Sequence, residues 1–146
     1  MADAVRDNID INASAEDIFG VATDLESYPE WNANIKRVEV KARTEDGLPS
    51  EVWMEVDAKL KIISYTIGYD YTNAPQSFSW SLIEGEVKEL EGSYKFDEFD
   101  DVTEVTYEMK VDPGFPIPKL LKRQAEKQIA RGALEDLKKR VESLAN

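Results

Sequence analysis

The sequence comprises 146 residues with 18 basic and 30 acidic side chains and a formal charge of −12, enough chain to bury one core and too little for two conventional ones. A chain this acidic repels a phosphate backbone, so no nucleic acid is expected as a partner. It contains neither cysteine nor histidine, which excludes disulfides, thiolate nucleophiles, iron–sulfur clusters, zinc ribbons, histidine-based triads and imidazole metal sites, and no cofactor is expected.

The hydrophobic fraction of 42% with 33% charged residues describes a folded chain with a well-solvated surface. The first ten residues carry Asp3, Arg6, Asp7 and Asp10 and no apolar run, which is not the pattern of a signal peptide. No stretch approaches the roughly 18 apolar residues of a membrane span. A cytoplasmic location is the expectation, and the sequon Asn12-Ala13-Ser14 would then go unmodified.

In chain order, Val5, Ile9 and Ile11 alternate with polar residues as a half-buried strand does. Ser14 offers a helix N-cap with Asp17 three residues on, and Ile18, Val21, Ala22 and Leu25 follow at helical spacing. Tyr28-Pro29-Glu30-Trp31 stops that helix and starts a second short one. Strand alternation then recurs in Val38, Val40 and Ala42; in Val52, Met54, Val56 and Ala58; in Tyr65, Ile67, Tyr69 and Tyr71; and in Phe78, Trp80 and Leu82. Leu90, Gly92, Tyr94 and Phe96, then Val105, Tyr107, Met109 and Val111, complete the series. Turn-forming residues separate the runs by short links, which predicts hairpins and an antiparallel meander. After Pro118 no proline interrupts the chain, and a helix of about 26 residues would span about 39 Å.

Along that helix Leu121, Ala125, Ile129, Ala133, Leu137 and Val141 recur every four residues. Each step overshoots a turn by about 40°, so the ridge winds round the helix and suits a concave, twisted sheet better than a flat one. The small residues Ala125 and Ala133 fit either close approach or an unfilled space. The apolar registers hold Tyr65, Tyr69, Tyr71, Trp80, Tyr94 and Tyr107, and buried phenols need hydrogen-bond partners that a plain core would avoid by using phenylalanine. With Gln124 and Gln128 near the ridge, these residues describe an apolar-ligand pocket with a few polar tips. On periodicity alone, plain core is the commoner reading of the same residues.

The order of strand, two short helices, six strands and long helix resembles the helix-grip fold of the START-like (SRPBCC, Bet v 1-like) superfamily. The segments that carry the resemblance are Asp24 to Trp31, Leu90 to Phe96, Glu104 to Glu108 and Leu134 to Glu142, and it spans nearly the whole chain. Within the superfamily the sequence looks closest to small actinobacterial proteins of polyketide cyclase/dehydrase or coenzyme Q-binding type. The resemblance implies an α+β protein, residues 1–146 forming one ligand-binding domain: a seven-stranded curved antiparallel sheet, two short helices and a long C-terminal helix over a cavity for a lipid, quinone, sterol or polyketide.

The expected ligand-binding residues are Tyr65, Ile67, Tyr69, Trp80, Tyr94, Phe96, Tyr107 and Met109 on the sheet, and Leu121, Gln124, Ala125 and Gln128 on the helix. The inward registers show no obvious lysine, arginine or carboxylate, and an unshifted tyrosine near pKa 10 is a poor base at neutral pH. Non-catalytic binding of a hydrophobic small molecule therefore ranks first, a cyclase/dehydrase second and an interaction-only domain third. Trp53, between Val52 and Met54, points away from their face. The acidic turn Asp97 to Asp101 lacks the glycine and distal glutamate of a calcium loop and reads as a solvated hairpin tip. Lys119, Lys122, Arg123, Lys127 and Arg131 stand against the single Glu126. They read as an exposed basic face, either neutralised by acidic neighbours or suited to transient contact with an anionic membrane or an acidic partner.

Overall fold

A computed structural model of the protein describes residues 4–144; the outermost residues of the expected domain, 1–3 and 145–146, lie outside the described residues. Seven strands, β1 (Val5–Ile11), β2 (Ile35–Arg43), β3 (Pro49–Asp57), β4 (Ile62–Asp70), β5 (Ser77–Gly85), β6 (Glu89–Phe99) and β7 (Val102–Asp112), form one antiparallel sheet in the order β1-β7-β6-β5-β4-β3-β2. Between β1 and β2 lie α1 (Ala15–Ala22), a single 3-10 turn (Leu25–Ser27) and α2 (Tyr28–Trp31), and the chain ends in α3 (Lys119–Leu144). This is the α+β helix-grip arrangement that the periodicities and the resemblance led us to expect.

The hairpins follow from short links. β6 and β7 pair without interruption from Glu89 opposite Asp112 to Phe99 opposite Val102. The first strand crosses to the far edge and pairs with β7, Val5 opposite Met109 and Ile11 opposite Thr103. Ser14 caps α1, its Oγ accepting from the Asp17 amide at 3.1 Å. Glu98 Oε1 accepts from the amide of Ala15 at 2.6 Å, so the acidic β6–β7 turn supplies negative charge to a helix start that favours it.

Two clusters make up the interior. One joins Ile18 and Ala22 of α1, Ile11, Phe78, Tyr94, Phe96 and Val105 of the sheet, and Leu134, Leu137 and Val141 of α3. The other joins Leu25 and Tyr28 to Val52, Met54, Val56 and Ile67. Tyr69, Trp80 and Trp31 touch both. Trp53 faces the other side of the sheet, with the Arg37 guanidinium 5.3 Å above its ring.

Two departures from simple alternation shape the inner face. Thr66 pairs with Glu84 while Ile67 pairs with Leu82, so Ile83 bulges out of register and stays exposed. A bulge of this kind bends its strand and adds local twist. At Gly92 the constraint is steric: a Cβ there would overlap the Trp80 indole, which is hemmed in by Tyr69, Phe78, Tyr94 and Tyr107. Gly92→Ala is expected to destabilise the fold by about 1–3 kcal/mol through overpacking, read as a lowered urea midpoint with unchanged slope.

Candidate functional site

The two clusters part between the middle of the sheet and the N-terminal half of α3, leaving a cavity of about 150 Å³. That is about the size of an engineered apolar cavity known to admit benzene. Its sheet wall carries Tyr65, Ile67, Tyr69, Trp80, Tyr94, Tyr107 and Met109, and Ala125 faces them from the helix. The β3–β4 loop contributes Ala58, Leu60 and Lys61, and the segment after β7 contributes Pro113, Phe115 and Ile117. Lys61 Nζ lies 5.2 Å from the centre of the Phe115 ring, joining these two rims.

Four of the expected residues lie elsewhere. Phe96 is 4% exposed and packs in the closed cluster around Phe78 and Val105. Leu121, Gln124 and Gln128 are exposed, because they sit about 100–160° round the helix from Lys122, away from the stripe that faces the sheet. That stripe is Lys122, Ala125, Glu126, Ile129 and Ala133. The winding ridge holds from Ala125 onward, Ala125, Ala133, Leu137 and Val141 being buried and Ile129 half-buried, but its first member, Leu121, has already rotated into solvent.

The same stripe corrects the expectation that no ionisable side chain lines the cavity. Lys122 and Glu126 both lie on its wall, Nζ to Oε2 at 2.6 Å, with Glu126 only 5% exposed. Lys122 therefore does not belong to an exposed basic face. Arg131 pairs with Asp7 and reaches Glu135, while Lys119, Arg123 and Lys127 are exposed. The spacing of Lys122, Ala125, Glu126, Ile129 and Ala133 at intervals of three and four residues was the available signal for this face; reading the helix by apolar residues alone passed over its charged members. Asn32 and Asn34 also line the cavity, and the Asn34 side-chain oxygen is buried without a hydrogen-bond partner.

The phenols set the chemistry of the opposite wall. Tyr28 donates to the carbonyl of Ala22 and Tyr71 to that of Pro49 at 2.6 Å; Tyr71 lies outside the cavity wall. No described residue bonds to the hydroxyls of Tyr65, Tyr69, Tyr94 or Tyr107. Desolvation raises the pKa of all four, with neighbouring phenols adding to the effect at Tyr65, Tyr69 and Tyr94; Tyr107 is pushed up to about 12. At neutral pH these are neutral donors without acceptors, arrayed round an apolar space.

The model of the family described as "Polyketide cyclase / dehydrase and lipid transport" matches residues 11–138. The chain belongs to this family. Its members have a fold that binds hydrophobic small molecules. A START superfamily protein from Mycobacterium smegmatis superposes with a TM-score of 0.88 at 25% identity, covering 97% of this chain and 98% of that one. A protein from Thermus thermophilus superposes with a TM-score of 0.88 at 19% identity, covering 99% and 100%. The Zhui aromatase/cyclase from Streptomyces sp. R1128 superposes with a TM-score of 0.85 at 15% identity, covering 100% and 97%. The last two likenesses concern the fold. No curated protein matches the sequence. Among the described residues no helix is long and apolar enough to cross a membrane.

The raised phenol pKa values have a consequence for stability. Unfolded tyrosines ionise near 10, whereas folded Tyr107 holds its proton to about 12, so above pH 10 the unfolded chain binds fewer protons and stability falls as pH rises. Absorbance at 295 nm is expected to show little phenolate at pH 11 in the folded protein, with phenolate appearing together with unfolding.

Proposed function

We propose that this protein, as one domain over residues 1–146, binds a hydrophobic small molecule of lipid, quinone or polyketide type in the cavity and carries or sequesters it without chemical change. The observation that carries this reading is the wall of apolar side chains and unbonded phenols between sheet and helix, which favours an apolar body bearing acceptor oxygens. Catalysis is disfavoured by the same residues. Phenols held neutral by burial cannot abstract a proton at physiological pH, and the chain offers no histidine or cysteine.

A cyclase/dehydrase is the second reading, favoured by the aromatase/cyclase among the fold's neighbours and by the presence of Lys122 and Glu126 on the wall. The carrier reading expects purified protein to take up an apolar fluorophore, to release an apolar compound into an organic extract, and to leave polyketide-like substrates unchanged. Ala125→Leu should abolish uptake by filling the cavity, without the loss of about 1–3 kcal/mol that overpacking a solid core would cause. Fluorescence titration and a thermal melt on the same sample check this. Uptake unaffected by the leucine overturns the assignment, and turnover above background establishes the enzyme.

The partner face is reduced to Lys119, Arg123 and Lys127, beside the exposed Leu120 and Leu121. We read it as a contact for an anionic membrane of the cytoplasmic leaflet, worth about 1 kcal/mol per basic residue at low salt. Co-sedimentation with anionic vesicles should be lost in Lys119→Glu/Lys127→Glu and on neutral lipid. Binding indifferent to both changes leaves a solvated helix face.

A further inference from the structure

We propose that Lys122 and Glu126 are specificity residues of the cavity, recognising a hydroxyl group on an otherwise apolar ligand. The inference rests on the ligand-binding reading above and adds the chemistry of one end of the ligand. The site is a buried carboxylate where burial is costly. Glu126 lies in the most basic stretch of the chain, yet its side chain is 7% exposed against 22% for its partner. A pair whose only task was to support the helix surface would gain nothing from that desolvation.

Both members have unused bonding capacity. Lys122 Nζ meets Glu126 Oε2 at 2.6 Å, and no described group donates to Oε1. An ammonium carries three N–H donors and no acceptor, while a carboxylate offers two oxygens and no donor. The pair thus presents one open acceptor and open donors side by side on the cavity wall. A ligand carboxylate would satisfy Lys122 and be repelled by Glu126; a ligand ammonium would satisfy Glu126 and be repelled by Lys122. A hydroxyl donates to one and accepts from the other, and it carries no charge into a site that is already neutral as a pair.

The opposite wall completes the selection. Tyr65, Tyr69, Tyr94 and Tyr107 hold hydroxyls that no described residue bonds, and Tyr94 belongs to the closed core, whereas Lys122 retains some exposure. An apolar body with carbonyl or ether oxygens would point these toward the tyrosines and its hydroxyl toward the start of α3.

Four naphthalene probes of one skeleton test this: 2-naphthol, 2-methylnaphthalene, 2-naphthoate and 2-naphthylmethylamine, titrated against the protein by tryptophan quenching at neutral pH. The wild type should bind 2-naphthol about tenfold more tightly than the other three, the preference expected of hydrogen bonds to charged groups. Lys122→Met/Glu126→Leu, which removes both charges without orphaning either, should bind 2-methylnaphthalene at least as well as the wild type and retain less than about a twofold preference for 2-naphthol. Should circular dichroism show that variant unfolded, Glu126→Gln is expected to reduce the preference at least threefold. Equal binding of all four probes by the wild type, tightest binding of the naphthoate or the amine, or a preference that survives the substitutions overturns this inference and leaves the ligand-binding reading standing. Binding of none of the four by folded wild type overturns both.

Discussion

The packing of Leu134, Leu137 and Val141 against Ile11, Ile18, Phe78, Phe96 and Val105 fixes the rotational phase of α3, and the rest of the site depends on that phase. A helix is rigid in rotation, so locking its C-terminal half determines which side chains its N-terminal half turns toward the sheet. Those are Lys122, Ala125, Glu126, Ile129 and Ala133. The short side chains of Ala125 and Ala133 do not fill the space between them and the sheet. The cavity is therefore the space left beside the N-terminal half of a helix whose C-terminal half closes tightly on the sheet.

The sheet wall is stiff for a separate reason. Trp80 lies over Gly92 and against four aromatic rings, and Tyr94 stands 5.1 Å from Tyr107, ring centre to ring centre. Rings with two side-chain torsions, held by each other, lose little further entropy when something binds beside them. A preformed wall of this kind offers shape to an apolar body and direction to its oxygens through phenol groups that burial keeps protonated.

Electrostatics divides the molecule along the same line. The chain as a whole is strongly acidic, yet the start of α3 is basic, and its one carboxylate, Glu126, turns inward to Lys122. A carboxylate facing solvent among lysines would gain little, because water screens exposed pairs. Placed on the wall of an apolar space the same pair is desolvated, and its open hydrogen-bonding positions become the strongest polar demand that side of the cavity makes on a ligand. Belonging to the polyketide cyclase/dehydrase and lipid transport family gives the fold; in the inference proposed above, the polar groups of the wall set which ligand this chain selects.

Alternation in Val5–Ile11 and in the six later strands, the cap at Ser14 and the break-free run after Pro118 specified the seven strands and the helices, since each depends on neighbours within a few residues, but Leu25, read at helical spacing with Ile18, Val21 and Ala22, belongs to a separate 3-10 turn after α1 ends at Ala22. The short links specified the hairpins, and Tyr65, Ile67, Tyr69, Trp80, Tyr107 and Met109 could be assigned to the inner face because strand faces alternate strictly. Helix α3 was less legible. A period of four is close to, but not equal to, a turn, so the spacing defined a set of adjacent stripes and left open which of them met the sheet at each height. Leu121, Gln124 and Gln128 were assigned to the wrong side for that reason, and Lys122 and Glu126 were passed over because charge in a sequence reads as surface. Only the tertiary structure, by locking Leu134, Leu137 and Val141 into the core, decided that a lysine and a glutamate, rather than a leucine and two glutamines, face the cavity.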